Sequence, residues 1–311
     1  MRESIHSYAR IGIVHSMAYP ESVTSAHAYR STLKKILADE YFDVAELGHP
    51  PFEGLAEEVK EMVAQAHCTL TYSGHGLLFS KGLNINSLDE TERRVAVQTL
   101  KEGIDEAYAM GSEEFQFLSW GYEAGKEELY LAALVSSTKE LCSYAKSKGA
   151  MPVVLEVFDH TIDKKSLLGP APLVARYAES VREEYDNFGI MIDCSHIPMI
   201  GESINEAVDP IIEYITHVHI GNTLIGDKSH PSYGDYHPRF GYPGSENDTE
   251  YLTAFLQKLV EIGYLTEGGT NILSFEVKPQ GDEDPDLVVA SSKRTLNKAW
   301  RATQNFVYNK K

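Results

Sequence analysis

Short β-rich runs recur along this chain, each followed by a longer stretch with helical spacing of its apolar residues. The runs are RIGIVHSM (10–17), DVAELGH (43–49), CTLTYSG (68–74), EFQFLSW (114–120), PVVLEVF (152–158), GIMIDCS (189–195), THVHIG (216–221) and NILSFEV (271–277). Between them lie patterns such as TERRVAVQTLKEGIDEAYAMG (91–111) and EELYLAALVSSTKELCSYAKSKG (127–149), each ending on a glycine, a residue favoured at helix C-termini. Strand-like runs that alternate with helices imply a parallel sheet, because a parallel pair needs a crossover long enough to hold a helix. Eight βα units in 311 residues fit a closed (β/α)8 barrel, the TIM-barrel architecture, better than an open doubly wound sheet. The expectation is a single α/β barrel domain over residues 1–311, without a linker or low-complexity segment. One irregular stretch interrupts the rhythm, NTLIGDKSHPSYGDYHPRFGYPGSEND (222–248) after the seventh run. Loops of that length are functional or disordered, and its tyrosines, phenylalanine and arginine point to an ordered lid. Residues 230–244 are expected to wall the site, with Arg239 and at least one of Tyr236, Phe240 and Tyr242 facing the ligand.

Charge and cysteine content narrow the setting. Lys and Arg number 28 against 46 Asp and Glu, a net charge of −18 that repels a phosphate backbone, so nucleic acid is not the expected partner. Cys68, Cys142 and Cys194 are odd in number, widely spaced and without a CxxC pair. Neither a disulfide framework nor a thiolate zinc site follows, and a reducing cytoplasm is the expected compartment. No run of about 18 apolar residues exists to span a membrane, and the N-terminus lacks the apolar core and cleavage signal of an export segment.

In a barrel of this kind the chemistry sits at the C-terminal ends of the strands. Four ionisable residues fall there on consecutive runs: Glu156 in VVLEVFDH, Asp193 in IMIDCSH, His219 in HVHIGN and Glu276 in LSFEVKP. Each lies among apolar neighbours, where an unpaired carboxylate is costly or takes up a proton. Singly, each has a plainer reading. Lys278, on the same strand face as Glu276, can pair with it; Asp193 can cap the following turn; His217 and His219 can be buried structural histidines. Jointly, three carboxylates and one imidazole from adjacent strands form a donor set suited to Mn²⁺, Mg²⁺ or Co²⁺. His217 lies about 6.6 Å further down the strand than His219, away from the mouth, and is not expected to be a ligand. His160, four residues after Glu156, is a further candidate acid or base, or a histidine in the strand-exit turn.

These motifs resemble those of the xylose-isomerase-like barrels, which include sugar isomerases, D-tagatose 3-epimerase and endonuclease IV. The resemblance rests on LEV at Glu156, DCSH with Asp193 and His196, HVH with His219 second, and FEVKP at Glu276, and is strongest from about residue 150 onward. It implies that Glu156, Asp193, His219 and Glu276 bind one Mn²⁺-like ion. It also implies that Glu156 and Glu276 pass a proton to and from the carbon beside a sugar carbonyl, through an enediolate, and that His196 contacts substrate. Two departures are visible. Asp159-His160 stands where the epimerases tend to carry Asn-Arg, and the arginine they carry soon after the second histidine is missing, the nearest basic group being Arg239. A metal-dependent sugar isomerase or epimerase is therefore the leading expectation, with His196, His160, Arg239 and Lys278 as substrate-binding residues. A lyase resembling the catalytic subunits of C-glycoside deglycosidases, acting on an oxidised (3-keto) glycoside, is the alternative; an endonuclease IV-like phosphodiesterase suits the acidity poorly. The expected partners are a small carbohydrate or glycoside and further copies of the chain, or a small β-rich subunit in the deglycosidase case.

Overall fold

The computed structural model describes residues 3–309. Eight parallel strands close into a barrel in sequence order, β1 (Arg10–Val14), β2 (Val44–Gly48), β3 (Thr69–Ser73), β4 (Glu114–Leu118), β5 (Val153–Glu156), β6 (Phe188–Asp193), β7 (Ile215–Gly221) and β8 (Ile272–Glu276). Every expected run coincides with one strand, β6 and β7 each beginning one residue before the run. The first run turns helical at His15–Ala18, so its histidine belongs to the barrel mouth.

Strand residues alternate between two faces. One set, including Ile11, Leu47, Tyr72, Phe117, Leu155, Val218 and Phe275, is buried in the apolar core. Each such side chain contributes roughly 1.5–3 kcal/mol by leaving water. The other set carries the polar residues that point into the barrel. His217, His219 and Gly221 share that face of β7, and Glu46, Gln116 and Ser274 meet it from other strands.

The two glycine-ended helical patterns are helices Glu90–Met110 and Glu127–Lys148, and their glycines act differently. Gly111 adopts φ 78°, the left-handed stop expected of a helix C-terminus. Gly149 is extended at φ 170° and is required by space, since a Cβ there would lie 2.9 Å from the Tyr108 ring.

The stretch after β7 runs to helix Thr249–Glu261 without regular secondary structure beyond one isolated bridge, Leu224 to Gly234. Buried amides order it. The Asn222 side chain donates to the Arg239 carbonyl (2.9 Å) and to Ser245 Oγ (2.7 Å), while Asn247 Nδ2 donates to the carbonyls of Cys194 (3.1 Å) and Gly221 (3.0 Å). The His237 carbonyl accepts the Lys278 amide at 2.7 Å, which ties the loop to the exit of β8.

Candidate metal and sugar site

The four strand-end residues converge. Glu156, Asp193, His219 and Glu276 each offer one donor atom, and these atoms all lie within 4.8 Å of one another. His219 Nδ1 is 2.7 Å from Glu276 Oε2 and 3.6 Å from Glu156 Oε1. Asp193 accepts the Ser195 amide on Oδ1 at 2.6 Å, whereas its Oδ2 is buried without a hydrogen-bond partner, as is Glu156 Oε1. Two buried carboxylate oxygens left open beside an imidazole and a third carboxylate fit a hard divalent cation, whose charge would offset the cost of burying them. Glu156, His219 and Glu276 line a cavity of about 520 Å³, with Asp193 behind them.

A second layer of ionisable groups lies beneath. His219 donates Nε2–H to Glu46 Oε2 (3.0 Å), and His217 donates Nε2–H to Glu46 Oε1 (2.9 Å). His217 Nδ1 is 2.8 Å from Glu114 Oε1, and Gln116 Nε2 donates to Glu46 (3.0 Å) and Glu114 (3.1 Å). The first histidine of the HVH pair, His217, is thus enclosed in a polar plug, and Glu46 orients both imidazoles. Together with His219, the two also form a group whose donor atoms cluster within 4.8 Å.

A third cluster comes from loops. Asp235 Oδ1 lies 2.9 Å from His196 Nε2 and 2.7 Å from His237 Nε2, and Asp235 Oδ2 is 2.8 Å from Lys164 Nζ. His196 Nδ1 donates to the Val157 carbonyl at 2.7 Å. His237 Nδ1 stands 3.7 Å from Asp193 Oδ2. That approach needs Gly221, where a Cβ would sit 2.8 Å from His237 Nδ1 and 2.7 Å from the Glu276 carbonyl oxygen. On the opposite side His75 Nε2 is 3.1 Å from Glu156 Oε2.

Burial and carboxylates set the protonation here. Burial alone would lower His196, His217 and His237, but their carboxylates outweigh it and raise them to about 10, 9 and 9. His219 is raised for the same reason, chiefly by Glu46 against its own burial. Burial opposes ionisation of Glu156, Glu46 and Asp235, yet their histidine partners hold all three below the usual carboxylate range. Asp193 is the exception, pushed up by burial. Burial disfavours the Lys164 ammonium, but Asp235 and Asp163 keep it charged.

Other expected residues are placed as follows. Lys278 lines the cavity, its ammonium 5.6 Å from the centre of the Tyr236 ring, and Tyr236 lines it too. His196 is buried against Asp235 and Val157, with Nδ1 3.9 Å from Glu156 Oε1. The His160 ring stacks on Tyr122 at 5.0 Å and shares a 2.6 Å hydrogen bond with its hydroxyl, and Arg239 Nε donates to Glu283 at 2.7 Å. Neither His160 nor Arg239 lines the cavity. Asp159 explains one departure from the epimerase pattern. Its buried carboxylate accepts the amides of Ile162 (2.7 Å), Asp163 (2.8 Å) and Lys164 (2.7 Å), folding a loop that carries Asp163 and Lys164 to the cavity wall.

Sequence reasoning missed Glu46, His75, Glu114, Gln116, Lys164, Asp235 and His237. The alternating EFQFL of β4 and the lone glutamate of DVAELGH were the available signals for three of them.

Residues 36–299 match the xylose isomerase-like TIM barrels, and the chain belongs to that family. No curated protein matches it. Among solved structures it is similar to an L-ribulose 3-epimerase (TM-score 0.75, 18% identity, covering 96% of this chain and 97% of that one). It is also similar to the IOLI protein with a bound zinc atom (TM-score 0.68, 16% identity, 94% and 98%). A third is the 3-keto-D-glucoside 4-epimerase YcjR from E. coli (TM-score 0.65, 15% identity, 92% and 98%). At these identities the likeness is one of fold.

Proposed function

We propose that this chain is a divalent-metal-dependent sugar isomerase or epimerase that moves a proton at the carbon beside a sugar carbonyl. The observation that carries the reading is the convergence of Glu156, Asp193, His219 and Glu276, donor atoms within 4.8 Å, with Glu156, His219 and Glu276 on the wall of a cavity large enough for a sugar. The names of the similar structures, sugar epimerases among them, support it. In this reading the four residues hold one ion, Mn²⁺ by preference, because three oxygen donors and one nitrogen suit it. Bound there, the ion supplies a Lewis acid that polarises the substrate carbonyl and lowers the cost of removing the neighbouring proton.

The protein's own groups do the rest. Glu156 and Glu276 both open onto the cavity, one to take the proton and the other to return it. His75, 3.1 Å from Glu156 Oε2, holds that carboxylate in place, and His219 does the same for Glu276 at 2.7 Å. Lys278 contacts substrate oxygen from the rim. His196 positions Glu156 and the loop carboxylate Asp235 from behind. His160 and Arg239 act on substrate only through the loops they brace.

A second reading, a lyase that expels an aglycone from an oxidised glycoside, uses the same proton abstraction and is favoured by the aromatic face of Tyr236 on the cavity wall. The test begins with elemental analysis of the purified protein, expected to give about one ion per chain, lost with chelator and regained with Mn²⁺. Exchange of substrate hydrogen with deuterated solvent is then followed for ketohexoses and for 3-keto-glycosides. A protein that neither binds a divalent ion nor exchanges any of these protons overturns the proposal, and release of aglycone selects the lyase.

A further inference from the structure

His219 belongs to two groups of buried donors. At the mouth it faces Glu156, Asp193 and Glu276; deeper in the barrel it is grouped with Glu46 and His217, again with donor atoms within 4.8 Å of one another. The two groups differ in what they leave open. At the mouth, Glu156 Oε1 and Asp193 Oδ2 have no hydrogen-bond partner among the described residues. In the deeper group both oxygens of Glu46 are taken, Oε1 by His217 Nε2 at 2.9 Å and Oε2 by His219 Nε2 at 3.0 Å, and Gln116 Nε2 donates to Oε2 as well, at 3.0 Å. A carboxylate only accepts, so each ring nitrogen that meets Glu46 carries a hydrogen and is not free to ligate. The deeper group is therefore closed to a cation. What remains of His219 is Nδ1, 2.7 Å from Glu276 Oε2 and 3.6 Å from Glu156 Oε1.

The barrel makes room for this contact. Strands β8 and β1 lie between β7 and β2, and at the level of His219 they present Ser274 and Gly12. A Cβ on Gly12 would collide with Ser274 Oγ. With these small residues on the two intervening strands, the Glu46 carboxylate reaches across them to the imidazole. Glu46 is 1% exposed and His219 3%, so the hydrogen bond is sheltered from water and correspondingly strong.

We propose that Glu46 is a positioning residue that selects Nδ1 of His219 as the metal-binding nitrogen. A histidine's ligating nitrogen is set by the hydrogen bond its other nitrogen makes; without the Glu46 acceptor the ring can turn over and present Nε2 instead. A strand that supplies no metal donor thus fixes the geometry of the site. This rests on the metal reading of that site.

The test uses chelator-treated protein titrated with Mn²⁺, and ¹⁵N-histidine-labelled protein loaded with ¹¹³Cd²⁺, whose coupling to a ring nitrogen names the ligating atom. In wild type the coupling falls on Nδ1 of the histidine whose signal disappears in His219→Gln. Glu46→Met, close in volume but without an acceptor, weakens Mn²⁺ binding about 10–100-fold and spreads the coupling to Nε2. Glu46→Gln keeps an acceptor oxygen for His219, so the coupling stays on Nδ1 and Mn²⁺ affinity stays within about tenfold of wild type. A merely structural role for Glu46 would not change which nitrogen ligates. Coupling to Nε2 in wild type, or a Glu46→Met protein that binds Mn²⁺ as wild type does through Nδ1, overturns this inference alone. Loss of the Nδ1 coupling in Glu46→Gln overturns it too, and that arm holds even where Glu46→Met fails to fold. Wild type that takes up neither ion overturns the metal reading and this inference with it.

Discussion

His217 and His219 are two residues apart on one strand face, and depth in the barrel separates their roles. His219 reaches the strand-end carboxylates, whereas His217 is fully buried between Glu46 and Glu114. His217→Gln leaves two buried carboxylates without their cation, which costs about 3–5 kcal/mol of stability. Its effect on bound metal is smaller than that of His219→Gln, which removes a donor. Urea denaturation and metal analysis of the two variants check this, and equal metal loss would reverse the assignment. His15 gives a pH prediction. Burial lowers it to about 4 from an ordinary 6.5, so the unfolded chain takes up the proton first as pH falls. His15 therefore costs no stability above pH 6.5, and between 6.5 and 4 it removes about 1.4 kcal/mol per pH unit. Denaturation at pH 7, 6 and 5 should show that slope as the difference between wild type and His15→Gln; parallel curves would contradict it.

At the scale of elements, the stretch after β7 delivers Asp235 and His237 to the site, beyond walling it. Asp235 is the shared partner of His196, His237 and Lys164, and the His237 carbonyl pins the Lys278 amide. Replacing residues 230–244 with a short linker leaves His196 Nε2 without its carboxylate and Asp193 without its neighbouring imidazole. Groups of this kind orient metal donors, and their loss typically costs 10–100-fold in metal affinity. The shortened protein should bind Mn²⁺ about tenfold or more weakly and show a raised KM for sugar. Unchanged Mn²⁺ affinity in a titration would confine the loop to walling the cavity.

For the whole molecule, buried carboxylate oxygens left without a partner at the barrel mouth make stability depend on a cation. Glu156 Oε1 and Asp193 Oδ2 are both buried without a hydrogen-bond partner, in a chain that carries a net charge of −18. An ion that binds only the folded barrel adds about 2.7 kcal/mol at a concentration 100 times its Kd. Thermal melts with Mn²⁺ and with excess chelator should therefore differ by several degrees, the metal-loaded protein being the more stable. Coincident melts would count against a site built by these residues. No helix of the described residues is long and apolar enough to cross a membrane.

The barrel itself was legible in the chain, because strand and helix periods are local. Apolar alternation, run length and glycine stops recur within each βα unit, and all eight runs coincide with strands. The four converging donors were legible for a related reason: a strand's C-terminal end is defined by the strand, and parallel closure then brings those ends to one rim. What the sequence could not determine is which remote side chains meet them. Glu46 and Glu114 lie in the barrel only because β2 and β4 turn those positions inward, at a register fixed by closure of the sheet. Asp235, His237 and Lys164 arrive on loops whose paths follow tertiary hydrogen bonds, Asp159 to its three amides and Asn222 and Asn247 to theirs. Arg239 carries the charge a substrate contact needs, but in the folded chain its partner is Glu283. Residue type fixes what a side chain can do, and the packing of distant segments decides what it faces.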